Sequence, residues 1–249
     1  MPKRLRTAAV VITRESGDRI PRIVVQFRRI PIDEIYVVCC GCDPRAIMAA
    51  RLHGARAVEA PAACSDGAAI ATGVSQSLSG DVFLCTDGRF VYPAEWLSPY
   101  LEAASHGADV VLNDVSSTPT RMRMRELSSS FLNCATGAID AGSNSLTVFP
   151  FCLSRRAVEC IGLETLAALP SALLMARLAG LRVESVGPVP TSTTDPSLLN
   201  ENEDCIDAEA DDFFREHLTA LRELIAARGP RGAFSDHNRR RDLLVEGSR

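Results

Sequence analysis

The sequence predicts an α/β fold: a mostly parallel sheet flanked by helices, with a C-terminal helical extension. Three observations predict it. Short apolar runs rich in β-branched residues alternate with helix-length segments from residue 7 to 186, the order that βαβ units leave in a sequence. The breaks between them carry Gly, Pro, Asp and Ser at turn and capping positions. From residue 203 to 228, apolar side chains recur at helical spacing behind an acidic start.

Ala8 to Ile12 reads as the first strand, with a helix around Arg22 to Arg29 after it. Glu34 to Cys39 is the second strand; Pro44 opens a helix that Gly54 stops, and Ala55 to Glu59 is a short third strand. The Ser65-Asp66-Gly67 turn caps a helix over Ala68 to Leu78. Gly80-Asp81 turns into the strand Val82 to Cys85, which ends at Thr86-Asp87-Gly88. Pro93 to Ser105 is helical, and Asp109 to Leu112 is another strand. From Val115 to Asn144 no period is clear. Ser145 to Phe149 is expected as a strand, Ser154 to Ile161 and Pro170 to Ala179 as helices, and Arg182 to Val186 as the last strand.

These elements place one domain over 1–190, a polar linker over 191–202, an amphipathic helix over 203–228 and an Arg-rich tail over 229–249. Ile206, Ala210, Phe213, Phe214, Leu218, Leu221 and Ile225 form the helix stripe, which should dock on the domain or on a second copy in a homo-oligomer. Twenty-seven basic against 31 acidic residues leave a net charge of −4, which gives no reason to expect a nucleic-acid partner. No apolar run approaches the length of about 18 residues that a transmembrane segment needs, and the basic N-terminus is followed by too short an apolar stretch for a signal peptide. The expected location is the cytoplasm. Nine cysteines, several inside apolar runs, then read as buried free thiols, although Cys39 and Cys42 have Cys-x-x-Cys spacing. The four histidines show no metal spacing and read as surface residues.

Three stretches carry chemistry. They are Asp33-Glu34-Ile35-Tyr36-Val37-Val38-Cys39-Cys40-Gly41-Cys42-Asp43, Gly80-Asp81-Val82-Phe83-Leu84-Cys85-Thr86-Asp87-Gly88, and Phe149 through Gly162. In this order they resemble bacterial GT-A glycosyltransferases of the inverting, nucleotide-diphospho-sugar group. The first is similar to a second strand ending V-V-D-(N/D)-G-S-x-D, and the second to a G-D-(apolar)-D-x-D strand. The third is similar to the apolar strand and R-R helix beyond the acceptor region. Leu218 to Arg241 resembles an extension found on some glycosyltransferase-like proteins.

The resemblance implies a nucleotide-sugar donor, an acceptor of unknown identity and a divalent cation, Mn²⁺ or Mg²⁺. It implies that Thr13, Cys39, Gly41, Asp66, Cys85 and Asp87 line the nucleotide site, and that Asp87 holds the metal. The departures are as informative. Cys39 stands where the family has an aspartate, and the D-x-D signature is reduced to Cys85-Thr86-Asp87. No late acidic pair occurs near Pro170-Ser171. Inverting transfer needs a carboxylate base and a hard cation, for which a thiol is a poor ligand. A catalytically inactive binding or scaffold protein on the same fold is therefore the alternative. A nucleotidyltransferase is more distant, because residues 13–22 lack a Gly-rich basic loop. Asp114, the spare acid of the acceptor half, is otherwise a loop aspartate. Arg121, Arg123 and Arg125 share one face of an extended segment, suited to a diphosphate or simply exposed.

Overall fold

Strands that are apolar on both faces need cover on both sides. In this chain β1 (Thr7–Thr13), most of β2 (Glu34–Cys40) and β4 (Val82–Asp87) are buried along their length. The fold was obtained as a computed structural model, which describes residues 4–14, 17–77, 79–115, 124–189 and 203–229. With β3 (Arg56–Ala60), β5 (Val110–Asn113), β6 (Phe151–Ser154) and β7 (Val183–Val186), these strands form one sheet in the order β3-β2-β1-β4-β6-β5-β7. All neighbours are parallel except β6, which runs antiparallel between β4 and β5.

Period-two alternation sends Ala9 and Val11 of β1 to one face and Ala8, Val10 and Ile12 to the other. The first face packs on α1 (Ile20–Phe27), α2 (Pro44–Leu52) and α4 (Ala94–Ser105). The second packs on α3 (Asp66–Gln76), α6 (Arg155–Ile161), α7 (Leu163–Leu166) and α8 (Leu169–Leu178). Side-chain caps start several of these helices. Asp43 accepts from the Arg45 N–H of α2 at 2.8 Å, Ser65 from Ala68 of α3 at 3.1 Å, and Ser154 from Ala157 of α6 at 3.0 Å.

The structure departs from the sequence expectations in the second half. Ser145 to Phe149 is a turn rather than a strand. The Ser145 hydroxyl accepts the Thr147 N–H at 3.2 Å, and the Ser145 carbonyl accepts that of Val148 at 3.1 Å. These local bonds compete with a ladder, so the strand starts later, at Phe151. The patternless stretch contains α5 (Met124–Ala135). Its buried face carries Ser128, Ser129 and Asn133 beside Leu132, so hydrophobic periodicity does not reveal it. The last helix, α9 (Glu203–Arg228), packs against α5 and α8, where Leu132, Leu174, Ala220 and Leu224 form a separate apolar cluster. The expected linker up to residue 202 and the tail beyond 229 lie outside the described residues. Among the described residues, no helix is long and apolar enough to cross a membrane.

Candidate functional site

Open parallel sheets bind ligands beyond the carboxyl ends of their strands, and the register brings three such ends together here. Thr13 of β1 is level with Cys39 of β2, and Ile12 with Asp87 of β4. Thr13, Cys39 and Asp87 are all buried at these strand ends, Cys39 within the apolar cluster on the α1, α2 and α4 face.

The β2 exit turns at Gly41, where φ is +65° and an added Cβ would fall 2.4 Å from the Ala62 Cβ. A side chain would be strained there on both counts. Around this turn the thiols are paired: Cys39 lies beside Cys42, and Cys40 beside Cys64. Burial, with these neighbours, pushes Cys39 and Cys40 up to about 12, so both are neutral. The Cys42 thiol donates to the Thr13 carbonyl at 3.0 Å and ties the β2 loop to β1.

Asp66 is the first residue of α3, but Ser65 rather than Asp66 caps it. The Asp66 carboxylate instead takes the Arg14 guanidinium at 2.7 Å, and Arg14 also donates to the Cys64 carbonyl at 2.8 Å. This half-exposed pair links the β1 exit to the α3 N-terminus. The Glu216 carboxyl of α9 is raised by burial, with Asp66 and Asp212 adding their charge.

At the β4 end both oxygens of the Asp87 carboxylate are engaged by Arg89. One oxygen accepts the Arg89 backbone N–H at 2.8 Å. The other faces Nε and Nη2 of the guanidinium, each at 2.7 Å. Gly88 between them donates its N–H to the Ile12 carbonyl at 2.7 Å, and a Cβ there would sit 2.8 Å from that oxygen.

Cys85 does not reach this edge. It is fully enclosed in the core beside Cys152, and burial pushes its thiol well above the usual range. The expectation that Cys85 lines the nucleotide site is corrected: β4 runs two residues further than the sequence suggests, to Asp87. The two-residue spacing therefore extends forward, as Asp87-Gly88-Arg89. Arg89 and Arg14 are the candidate-site residues that sequence reasoning missed. The signal was the uninterrupted run Val82 to Thr86, which has no polar charge to stop it before Asp87.

In the other half, Asp114 accepts from Asn144 Nδ2 at 3.3 Å. Arg125 sits over the Phe213 ring, 5.1 Å from its centroid, and Arg121 and Arg123 lie outside the described residues. Among the described residues, one histidine expected at the surface is buried: His217 on α9, its Nε2 3.3 Å from the Ser129 hydroxyl.

No family model matches the sequence, and no curated protein matches it. Solved structures do match it. Glucosyl-3-phosphoglycerate synthase from Mycobacterium tuberculosis, in complex with Mn²⁺, UDP and phosphoglyceric acid, superposes with a TM-score of 0.67 at 16% identity. That match covers 87% of this chain and 78% of the synthase. Mannosyl-3-phosphoglycerate synthase from Rubrobacter xylanophilus matches with a TM-score of 0.66 at 16% identity, over 96% and 80% of the two chains. The fold is GT-A. The M. tuberculosis synthase with Mg²⁺ and UDP also matches, with a TM-score of 0.63 at 16% identity over 87% and 79% of the chains.

A divalent cation of that kind wants several oxygen donors. On this GT-A sheet both oxygens of the strand-end carboxylate, Asp87, are engaged by Arg89. Among the described residues, no three His, Cys, Asp or Glu side chains converge. The residues present do not fit a resident divalent cation.

Proposed function

We propose that this chain is a glycosyltransferase-like protein that binds a nucleotide-diphosphate sugar beyond the ends of β1, β2 and β4. One observation carries the reading. On a GT-A sheet, Thr13, Gly41, Asp66 and Asp87, which the sequence motifs single out, meet at one edge with Arg14 and Arg89. Beside Thr13 and the neutral Cys39, the two guanidiniums, each paired with a carboxylate, offer N–H donors to the oxygens of an anionic donor. The acceptor lies over the β5–β7 half, and the protein acts in the cytoplasm.

A specific observation favours the second reading, a GT-A protein that binds without transferring. The acids of the acceptor half have structural duties. Asp109 accepts from Ser154 Oγ, Arg156 and the Arg182 N–H, and Asp114 accepts from Asn144. A carboxylate that is to take a proton from an acceptor hydroxyl needs an open oxygen, and Asp109 is engaged on both.

Thermal melts with nucleoside diphosphates and nucleotide sugars test the common part, because a ligand of the folded state raises the midpoint. The reading expects a saturable rise with at least one nucleotide; no rise with any at millimolar concentration would refute it. Nucleotide release from the bound donor, with phosphoglycerate and other hydroxyl acceptors present, separates transfer from binding alone.

A further inference from the structure

We propose that the Arg89 guanidinium, seated on Asp87, takes the place of a divalent cation, so that this site binds a nucleotide's diphosphate without metal. The inference rests on the nucleotide-binding reading above and gives its diphosphate subsite a chemistry.

The geometry of Asp87-Gly88-Arg89 is that of a clamp. Gly88 is pressed onto the end of β1, where its N–H meets the Ile12 carbonyl at 2.7 Å. That fixes the turn, and the turn returns the Arg89 side chain over Asp87. The acid lies beneath, with its side chain 7% exposed, while the Arg89 side chain is 41% exposed. The carboxylate therefore orients the guanidinium rather than ligating an ion. Guanidinium is always charged, and its planar array of five N–H donors suits phosphate oxygens. A cation entering this position would first have to displace Arg89 from both Asp87 oxygens.

The site has a second guanidinium built in the same way. Arg14, at the end of the adjacent strand, is held by Asp66 and by the Cys64 carbonyl. In this proposal each of these two anchored guanidiniums, at the ends of adjacent strands β1 and β4, takes one phosphate of a nucleoside diphosphate. The charge differs from that of a metal site, however. A carboxylate with a divalent ion keeps a net positive charge, whereas Arg89 with Asp87 is neutral. Directed hydrogen bonds, not net charge, hold the diphosphate here.

Calorimetric titration of the full chain with UDP, and with inorganic pyrophosphate, tests this in EDTA and in millimolar Mn²⁺. The expected result is UDP binding in EDTA within about threefold of that in Mn²⁺, with Arg89→Ala weakening it by about tenfold or more. Arg89→Lys, which keeps the charge without the fork, should fall between them. Arg89→Asp should bind only with Mn²⁺. Thermal melts check that each variant folds, and the EDTA and Mn²⁺ comparison on the unaltered chain stands without them. UDP binding that requires Mn²⁺ in the unaltered chain would overturn the proposal and leave the nucleotide site intact. So would equal binding by the unaltered chain and a folded Arg89→Ala. No binding of UDP or any other nucleoside diphosphate under either condition would overturn both this proposal and the reading beneath it.

Discussion

Cys85 and Asp87 stand two residues apart on β4 and on the same side of it, yet their surroundings give them opposite chemistry. Cys85 is level with Val10 of β1 and Phe151 of β6, deep inside the sheet. Asp87 is level with Ile12, where the sheet ends and an arginine can reach its carboxylate. A carboxylate at position 85 would have no comparable partner. Cys85→Asp, which from the sequence alone looks like the repair of a D-x-D motif, should instead destabilise the protein by about 3–5 kcal/mol, the cost of an uncompensated buried charge. Urea unfolding would read this as a lower midpoint. An unchanged midpoint together with tighter Mn²⁺ binding would show that position 85 faces the site after all.

At the scale of elements, α9 is held to the domain by a polar contact as well as an apolar one. His217 places Nδ1 2.9 Å from the Phe213 carbonyl and Nε2 3.3 Å from the Ser129 hydroxyl of α5. Burial lowers its pKa from 6.5, opposed by the Phe213 carbonyl. A histidine with a depressed folded pKa binds more protons when unfolded, so stability rises with pH across that window. The α9 contact should weaken as pH falls from about 6.5 toward the folded value. Glu216 has the opposite sign: its raised carboxyl pKa costs stability as pH rises through 4.5 toward the folded value. Melting midpoints of the unaltered chain and His217→Gln, taken between pH 5 and 8, separate the two. The acid-side loss should shrink in the variant; identical profiles would remove His217 from the account. This contact was not legible in the sequence, because the α5 face that receives it is made of serine and asparagine. The βαβ alternation was legible, because strands buried on both faces leave continuous apolar runs such as Ala8 to Ile12 and Val82 to Thr86. The strand-end chemistry was only half legible. An Asp-Gly pair announces a turn but not which side chain the turn brings back, so Arg89 stayed hidden beside Asp87.

For the whole molecule, the sheet divides the labour. Its β3-β2-β1-β4 half carries the strand-end residues of the candidate site, while α9 docks on α5 and α8. That last helix packs on α5 and α8. Leu224 and Ala220 are buried against Leu132 and Leu174, and Glu216 lies close enough to Asp66 to feel its charge. Phe131, Phe214, Leu218 and Ile225 are exposed on the same pair of helices, α5 and α9. A chain ending at residue 202 would expose the Leu132 and Leu174 side of the cluster and lose Leu224. Each large apolar side chain left in water costs about 1.5–3 kcal/mol, and His217 no longer covers Ser129. A chain ending at Gly229 keeps all of these contacts. The shorter chain should therefore melt well below the full one, whereas the chain ending at Gly229 should melt close to it. Light scattering on both reports whether α9 also joins two copies, in which case the shorter chain alone would fall to monomer mass. Equal midpoints for the two truncations would mean that α9 is an independent appendage and that the α5–α8–α9 cluster contributes nothing to the stability of the sheet.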